Sequence, residues 1–330
     1  MTNDHGPREH ALPHGLRLVV DSRPHVDVVA FAVTVGTGSR ADPDGRSGLA
    51  HMVEHLMFRH TTVAADHARC VERVGGMTNA ATYHDHTAYH DLVPTDVLAQ
   101  VVGFEGRRFT RHDIDDAAVG AERGVIATEI TAALAGPGRG FPWTATTRHM
   151  FGAPGEANPA LGVVEQLADL GAAECSALIS DRYTADNIVI TAVGGIREGS
   201  FPDDVAAAFA GLRSGDDVSP PPSSSATEVD VRARLDGPPG SLPTVAVGVP
   251  LPDPRRERAE YLAHVLLGRI LTTQLLPSVV CRHPDVLGAV FHVGHHGRRI
   301  AHRPRGAHGR PRRHRNHPRH RGTTQLPRRR

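Results

Sequence analysis

The sequence contains no lysine, so arginine carries all of its side-chain positive charge apart from histidine. Of the 37 Arg residues, 13 lie in residues 298–330, a stretch without Asp or Glu. The first 297 residues therefore hold 24 Arg against 36 acidic residues, a formal net charge of −12, although the whole chain is close to neutral at +1. The sequence describes an acidic body followed by a basic tail.

Long apolar runs and paired cysteines are also missing. No stretch reaches the about 18 consecutive apolar residues that a membrane-spanning helix needs. The N-terminal segment MTNDHGPREHALPHG lacks the apolar centre of a signal peptide, so we expect a cytoplasmic protein with no membrane partner. Cys70, Cys175 and Cys281 are far apart and form no C-x-x-C pair, which argues against a disulfide framework and a thiolate metal site.

Apolar periodicity predicts alternating strands and helices over the first two thirds of the chain. Residues 14–35 hold two apolar runs split by SRPH, which predicts two neighbouring strands. Residues 48–58 repeat apolar side chains at i, i+3 and i+4, which predicts a helix. We expect further helices over ADHARCVERVGG, PTDVLAQVVGFEGRRF, AAVGAERGVIATEITAAL and DLGAAECSALIS, and strands over MTNAATYHDHTAYHDLVP and NIVITAVGG.

A Pro/Ser-rich segment at residues 214–228 is the clearest linker in the chain. It divides a first domain, residues 1–213, from a shorter second domain, residues 229–297. The second domain begins with a predicted strand, PTVAVGVPLP, and a predicted helix over Glu257–Leu276.

Residues 298–330 are rich in Arg and His and almost without apolar side chains, so we expect them to be disordered. The abrupt change in composition suggests a reading-frame shift in GC-rich coding DNA, a hypothesis that resequencing around His296 would test. Arg-rich segments can bind nucleic acid through phosphate contacts. This tail has no aromatic residue for base stacking, and an acidic body would oppose a polyanion, so we do not expect nucleic-acid binding.

The segment GLAHMVEHLMFRH, Gly48–His60, carries the residues with the strongest chemical signal. His51, Glu54 and His55 share one face of the predicted helix, so two imidazoles can bind one cation. Catalytic zinc usually has three protein ligands, and the third must come from elsewhere in the chain. Glu54 could take a proton from a metal-bound water. From these residues alone, a polar stripe on an amphipathic helix is an equal alternative.

The surrounding sequence resembles a known family. H-x-x-E-H is the inverzincin order of zinc-binding residues. The stretch GSRADPDGRSGLAHMVEHLMFRHT resembles the G-S-R-x-E…G-x-A-H-x-x-E-H-x-x-F-x-x-T block of M16 (pitrilysin/insulinase, mitochondrial processing peptidase-like) zinc metallopeptidases. The likeness continues in order through VERVGGMTNAATYHDHTAYHDLVP, AERGVIATEI and RYTADNIVITAVGG, over residues 12–196, and more weakly to about residue 292.

The resemblance implies a ligand set and a fold. The third zinc ligand is then Glu129, with one Zn²⁺ per chain, and Glu122 is a supporting carboxylate of the catalytic site. Glu122 and Glu129 are seven residues apart, two helical turns, so both can face one cluster. The implied fold is α+β: an M16/LuxS-like metallohydrolase half-domain, with a mainly antiparallel sheet and helices on one face, followed by an incomplete second copy.

The implied function is zinc-dependent endopeptidase activity on peptides or small polypeptides. Glu54 would remove the proton of a water as it attacks the scissile carbonyl, and would return it to the leaving amine. Asn79 and Ala80 would lie on an edge strand to which the substrate peptide adds. We interpret His84, His86 and His90 as polar surface residues rather than ligands.

The resemblance also implies partners and an alternative function. Its members enclose substrate between two similar halves and often pair, so we expect a homodimer or a heterodimer with another M16-like subunit. An Arg/Tyr pair that several members use in the second half has no match in this chain. The alternative is a non-catalytic or impaired subunit of a processing complex. Such relatives typically lose ligands of the H-x-x-E-H motif, whereas this chain keeps them.

Overall fold

The computed structural model describes residues 6–135, 155, 158–197, 199–215, 249, 251–252 and 256–282. The chain divides into two compact units, residues 1–299 and 300–330, and the second lies outside the described residues. Most of the predicted linker, most of the predicted second domain and the basic tail also lie outside them, so the three boundaries between the four predicted segments stay predictions. Among the described helices, none has the length and apolar character to cross a membrane.

A single six-stranded sheet is the centre of the described structure. Its strands lie side by side in the order β1-β2-β6-β3-β5-β4. β2 and β6 run parallel, and every other neighbouring pair is antiparallel. The strands are β1 Arg8–Ala11, β2 Arg17–Ser22, β3 Val28–Val35, β4 Met77–Thr82, β5 Thr87–Pro94 and β6 Ile188–Gly194.

One face of this sheet is buried. Along β3, Val29, Phe31, Val33 and Val35 are each at most 1% exposed, whereas the residues between them are half-buried or exposed. Successive side chains of a strand point to opposite faces, so this alternation places the apolar set against the core.

The helices pack on that buried face. Helices α1 and α3 contact β5, and α1 also contacts β4. Among the described residues up to 215, the helices are α1 Leu49–Arg59, α2 Ala64–Arg73, α3 Leu98–Thr110, α4 Asp116–Ala135, α5 Val164–Leu167, α6 Ala172–Arg182 and α7 Phe201–Ala208. A mainly antiparallel sheet with helices on one face confirms the predicted α+β fold; the expected second copy lies largely outside the described residues.

Helix α1 is almost wholly internal, and its start is tightly specified. Every residue from Leu49 to Met57 is buried. The Asp42 carboxylate accepts hydrogen bonds from the backbone N–H groups of Gly48 and Ala50, both over 2.8 Å, and so satisfies two donors that the helix leaves unpaired. Gly48 has φ +105°, and a Cβ there would lie 2.9 Å from the Leu167 side chain. The helix that carries the H-x-x-E-H motif is therefore fixed in place.

The structure corrects two expectations about strands. The strands predicted within residues 14–35 form as β2 and β3, but they are not neighbours, because β6 lies between them. Strand β1 was not predicted, since its residues REHA carry no apolar alternation.

The helix predicted over Glu257–Leu276 is longer than expected. It comprises α8, Arg258–Ile270, a π-helical turn at Leu271–Leu275 and α9, Leu276–Arg282. The strand predicted at PTVAVGVPLP lies largely outside the described residues.

Candidate metal centre

His51 and His55 lie one turn apart on α1, and their side chains meet. The two Nε2 atoms are 3.2 Å apart, and both residues are buried. The rings are nearly perpendicular, at an interplanar angle of 84°. The predicted pairing of these two imidazoles is therefore present in the fold.

The other nitrogen of each ring already has a partner. His51 Nδ1 donates to the Leu161 carbonyl over 3.0 Å, and His55 Nδ1 donates to Glu122 Oε2 over 2.7 Å. A neutral imidazole carries one N–H, so these bonds leave the Nε2 lone pairs unprotonated and facing each other. Metal-binding histidines usually make such a second bond, which fixes the tautomer and the ring orientation.

Glu129, on α4, brings a carboxylate to the same point. Its Oε2 lies 3.6 Å from His51 Nε2 and 3.5 Å from His55 Nε2. The Glu129 side chain is 47% exposed, whereas the two imidazoles are buried, so the group of three opens to solvent on the carboxylate side.

The donor set fits a zinc ion. Three lone pairs that converge in this way repel one another unless a cation or a proton lies between them. Zinc–ligand distances of about 2.0–2.1 Å and tetrahedral angles place ligand atoms about 3.3 Å apart. The distances of 3.2, 3.5 and 3.6 Å among His51, His55 and Glu129 agree with that spacing.

Glu122 joins two histidines on the inner side of the centre. Its Oε2 accepts from His55, and its Oε1 accepts from His60 Nε2 over 2.8 Å. Burial by itself would raise the pKa of the Glu122 carboxyl, but the hydrogen bonds from His55 and His60 lower it below its ordinary value. The residue predicted as a supporting carboxylate thus orients His55. Sequence reasoning missed His60, whose only signal was its position at the end of the same helix.

Glu54 lies on α1 between the two histidines and is buried. Its Oε2 accepts a hydrogen bond of 2.8 Å from Thr82 Oγ1, at the end of β4. Thr82 lies within the stretch VERVGGMTNAATYHDHTAYHDLVP that resembles the M16 family, but the resemblance predicted no role for it. A motif does not reveal that a strand residue contacts a helix residue 28 positions earlier.

Asn79 and Ala80 lie on β4, at the edge of the sheet. They pair with His90 and Tyr89 of β5, and among the described residues no strand pairs with the other side of β4. Asn79 is exposed and Ala80 is half-buried. This is the position that an added peptide strand requires.

The three histidines that follow β4 lie apart from the metal-binding group. His86 Nδ1 contacts Asp85 Oδ1 over 2.7 Å, and its ring stacks on Tyr83. His90 is exposed on β5, and the backbone carbonyl of His84 accepts from Arg40. Among the described residues, none of the three belongs to a group that could hold a metal.

A second group of potential ligands, His67, Asp91 and Glu105, lies buried beneath the sheet. It already contains a cation. Arg108 Nη1 donates to Glu105 Oε1 over 2.7 Å, and Nη2 donates to His67 Nδ1 over 2.6 Å. His67 Nε2 then carries the proton and faces Asp91 Oδ1 at 3.1 Å. We therefore interpret this group as a structural ion network rather than a metal site.

The network shifts the titration of Glu105. Burial raises the pKa of its carboxyl to about 7; the charge of Asp91 adds to the shift and that of Arg108 opposes it. Glu105 therefore holds a proton more tightly than an exposed carboxylate does.

Comparison with known proteins finds a family that matches the region of the candidate centre. Residues 17–139, which include every residue of the candidate centre named above except Leu161, match the family described as Insulinase (Peptidase family M16). Residues 17–139 are therefore similar to the M16 peptidases. The chain is 28% identical over 200 residues to an uncharacterized zinc protease of Bacillus subtilis, covering 60% of this chain and 48% of that protein.

Two further comparisons extend the likeness. The chain is 26% identical over 245 residues to the beta subunit of the mitochondrial-processing peptidase of Blastocladiella emersonii, covering 72% of this chain and 51% of that protein. The crystal structure of a protease from Helicobacter pylori has a TM-score of 0.60 at 22% identity, covering 66% of this chain and 53% of that chain, which shows the M16 fold. The chain spans about half the length of the curated relatives that it matches.

Proposed function

We propose that this chain is a zinc-dependent endopeptidase, with one zinc ion held by His51, His55 and Glu129. The observation that carries the proposal is the convergence of two imidazole Nε2 atoms and a carboxylate oxygen, 3.2–3.6 Å apart. A relative from Bacillus subtilis is named a zinc protease, which supports the same metal and the same class of reaction.

Glu54 is the proposed general base. Zinc at this centre would lower the pKa of a water molecule and polarise the scissile carbonyl. Glu54 would take the proton of a water as the oxygen of that water attacks the carbonyl carbon, and would then give the proton to the leaving amine. Glu122 holds His55 by its Nδ1 and so keeps the Nε2 lone pair directed at the ion.

The proposed substrate is an extended peptide added to the free edge of β4. Backbone pairing next to Asn79 and Ala80 would tolerate many side chains, because it uses the main chain. Strand β4 contacts α1, so a peptide bound there would lie beside the helix that carries the catalytic residues.

Efficient hydrolysis by this chain would need a second M16-like half. The mitochondrial-processing peptidase relative is named as a subunit, and this chain spans about half of it. We therefore include a homodimer, or a heterodimer with another M16-like subunit, in the proposal, together with a cytoplasmic location.

Zinc content and cleavage of a quenched fluorescent peptide test the proposal together. We expect wild type to bind one zinc per chain and to cleave the peptide, with loss of cleavage after chelation. Glu129→Gln should lose zinc, and Glu54→Gln should keep zinc but lose turnover. Glu72→Gln, an exposed residue of α2, is the matched control and should behave as wild type.

Two results would contradict parts of this proposal. Equal zinc in wild type and Glu129→Gln would remove Glu129 from the ligand set. If wild type binds zinc but shows no cleavage that Glu54→Gln abolishes, the result would favour the alternative, a non-catalytic subunit of a processing complex.

A further inference from the structure

The Glu54 carboxylate has a specific partner that its proposed role does not account for. Thr82 Oγ1 donates to Glu54 Oε2 over 2.8 Å, from the last residue of β4 to the middle of α1. Glu54 is 8% exposed, so this bond lies largely away from water, where a hydrogen bond to a charged group is strong.

The direction of this bond follows from its acceptor, because a carboxylate has no proton to donate and Thr82 must supply it. Thr82 pairs with Thr87 across the β4–β5 hairpin, and their hydroxyl oxygens are 3.5 Å apart. Thr87 donates its single proton to the Thr37 carbonyl over 2.9 Å. Thr87 can then only accept from Thr82, and the Thr82 hydroxyl lies closer to Glu54, at 2.8 Å, than to Thr87, at 3.5 Å. Thr82 is also β-branched, which restricts its side-chain rotation.

The bond gives the two carboxylate oxygens of Glu54 different roles. With Oε2 held by Thr82, Oε1 is the oxygen of Glu54 left to accept and return a proton. A glutamate side chain has three rotatable bonds, so without this contact its carboxylate would sample several orientations.

We propose that Thr82 is a positioning residue for Glu54, holding the general base in the orientation that proton transfer requires; this inference rests on the proposed peptidase function. Thr82 lies two residues beyond Ala80 on β4, so both side chains point to the same face of the sheet. The strand that would receive the substrate is thus hydrogen-bonded to the base that would act on it.

Three variants of Thr82 and one control test this role. Thr82→Val removes the hydroxyl at nearly constant volume, Thr82→Ala removes it without a second methyl group, and Thr82→Ser keeps it. Thr78→Val is the matched control, because Thr78 lies on the same face of β4 and its buried hydroxyl has no hydrogen-bond partner among the described residues.

We expect Thr82→Val and Thr82→Ala to lower kcat by about 10–100-fold, the range found when a residue that orients a metal-site group is lost. KM and bound zinc should change by less than about twofold, since Thr82 is not one of the three proposed zinc ligands. Thr82→Ser should restore most of the activity, and Thr78→Val should leave it unchanged.

Crystal structures of wild type and Thr82→Val separate this inference from the proposed function. A Glu54 carboxylate that leaves its wild-type position in the variant supports the positioning role, even if wild type cleaves no peptide. The inference is overturned if Glu54 keeps its position without the hydroxyl, if Thr82→Ser loses as much activity as Thr82→Val, or if zinc is lost together with kcat.

Discussion

His60 Nε2 donates a hydrogen bond to Glu122 Oε1 over 2.8 Å, and the other oxygen of that carboxylate accepts from His55. His60 thus fixes the carboxylate that orients a proposed metal ligand, although its own side chain is 29% exposed. The two histidines hold Glu122 from both oxygens, so the position of His55 depends on a contact that the ion does not make.

Removing His60 should therefore weaken zinc binding without removing a ligand. We expect His60→Ala to raise the zinc dissociation constant by about 10-fold, measured by competition with a chromogenic chelator. His25→Ala, at an exposed histidine on the loop between β2 and β3, is the control and should leave affinity unchanged. Unaltered affinity in His60→Ala would show that Glu122 needs only His55.

Asp42 should stabilise the start of α1. Asp42→Ala leaves the N–H groups of Gly48 and Ala50 without their acceptor, so we expect a loss of about 1–2 kcal/mol in the free energy of unfolding. Asp44→Ala, two residues away and exposed, is the control, and urea denaturation of both variants measures the difference. A loss no larger than that of the control would mean that water replaces the cap.

Arg108 should be indispensable to the buried ion network. Arg108→Met leaves the carboxylates of Glu105 and Asp91 buried without their cation, so we expect a loss of roughly 3–5 kcal/mol in the free energy of unfolding. The adjacent Arg107 is exposed and lies over the Phe104 ring, so Arg107→Met should cost less than about 1 kcal/mol. Similar losses from the two substitutions would contradict the network.

Glu105 should make the stability of the metal-free protein depend on pH. Its pKa is raised to about 7 in the folded chain, so the folded state binds a proton that the unfolded state releases near pH 4 to 5. The stability that this proton adds to the folded state is fully present below the pKa of Glu105 in the unfolded chain. It is lost as pH rises through about 7, the pKa of Glu105 in the folded chain.

The free energy of unfolding should therefore fall by roughly 1–3 kcal/mol between pH 5.5 and pH 8. Glu105→Gln carries no titrating proton, so urea denaturation of that variant should show a smaller fall than wild type over the same range. Identical pH dependence in the two proteins would place the titrating group elsewhere.

The local spacing of residues in the sequence was sufficient to predict the helices that carry the candidate metal centre. The i, i+3, i+4 spacing of apolar residues predicted α1, and the spacing of His51 and His55 predicted that they would meet. Glu129 lies 74 residues after His55, and only the family resemblance pointed to it. Its proximity depends on how α4 crosses α1, which the spacing of residues within one helix does not encode.

Contacts between distant segments were the part that the sequence did not predict. Strand β6 enters between β2 and β3 because a strand late in the chain pairs with both, and apolar alternation does not specify its neighbours. The sequence does carry one signal of the buried network. Asp91 is two residues from both Tyr89 and Val93 on β5, so its side chain lies on the same core-facing side of the strand. A carboxylate at a core position predicts a buried partner, here His67.

The unequal exposure of the three proposed ligands sets the order in which the centre is assembled. Both imidazoles are held in the folded interior without an ion, through hydrogen bonds to Leu161 and Glu122. Only the exposed Glu129 side chain would have to become ordered when zinc binds. We therefore expect the proposed zinc ion to load after the chain has folded and to exchange from the solvent side. A chelator should strip the ion from the intact fold, and added zinc should refill it without a refolding cycle.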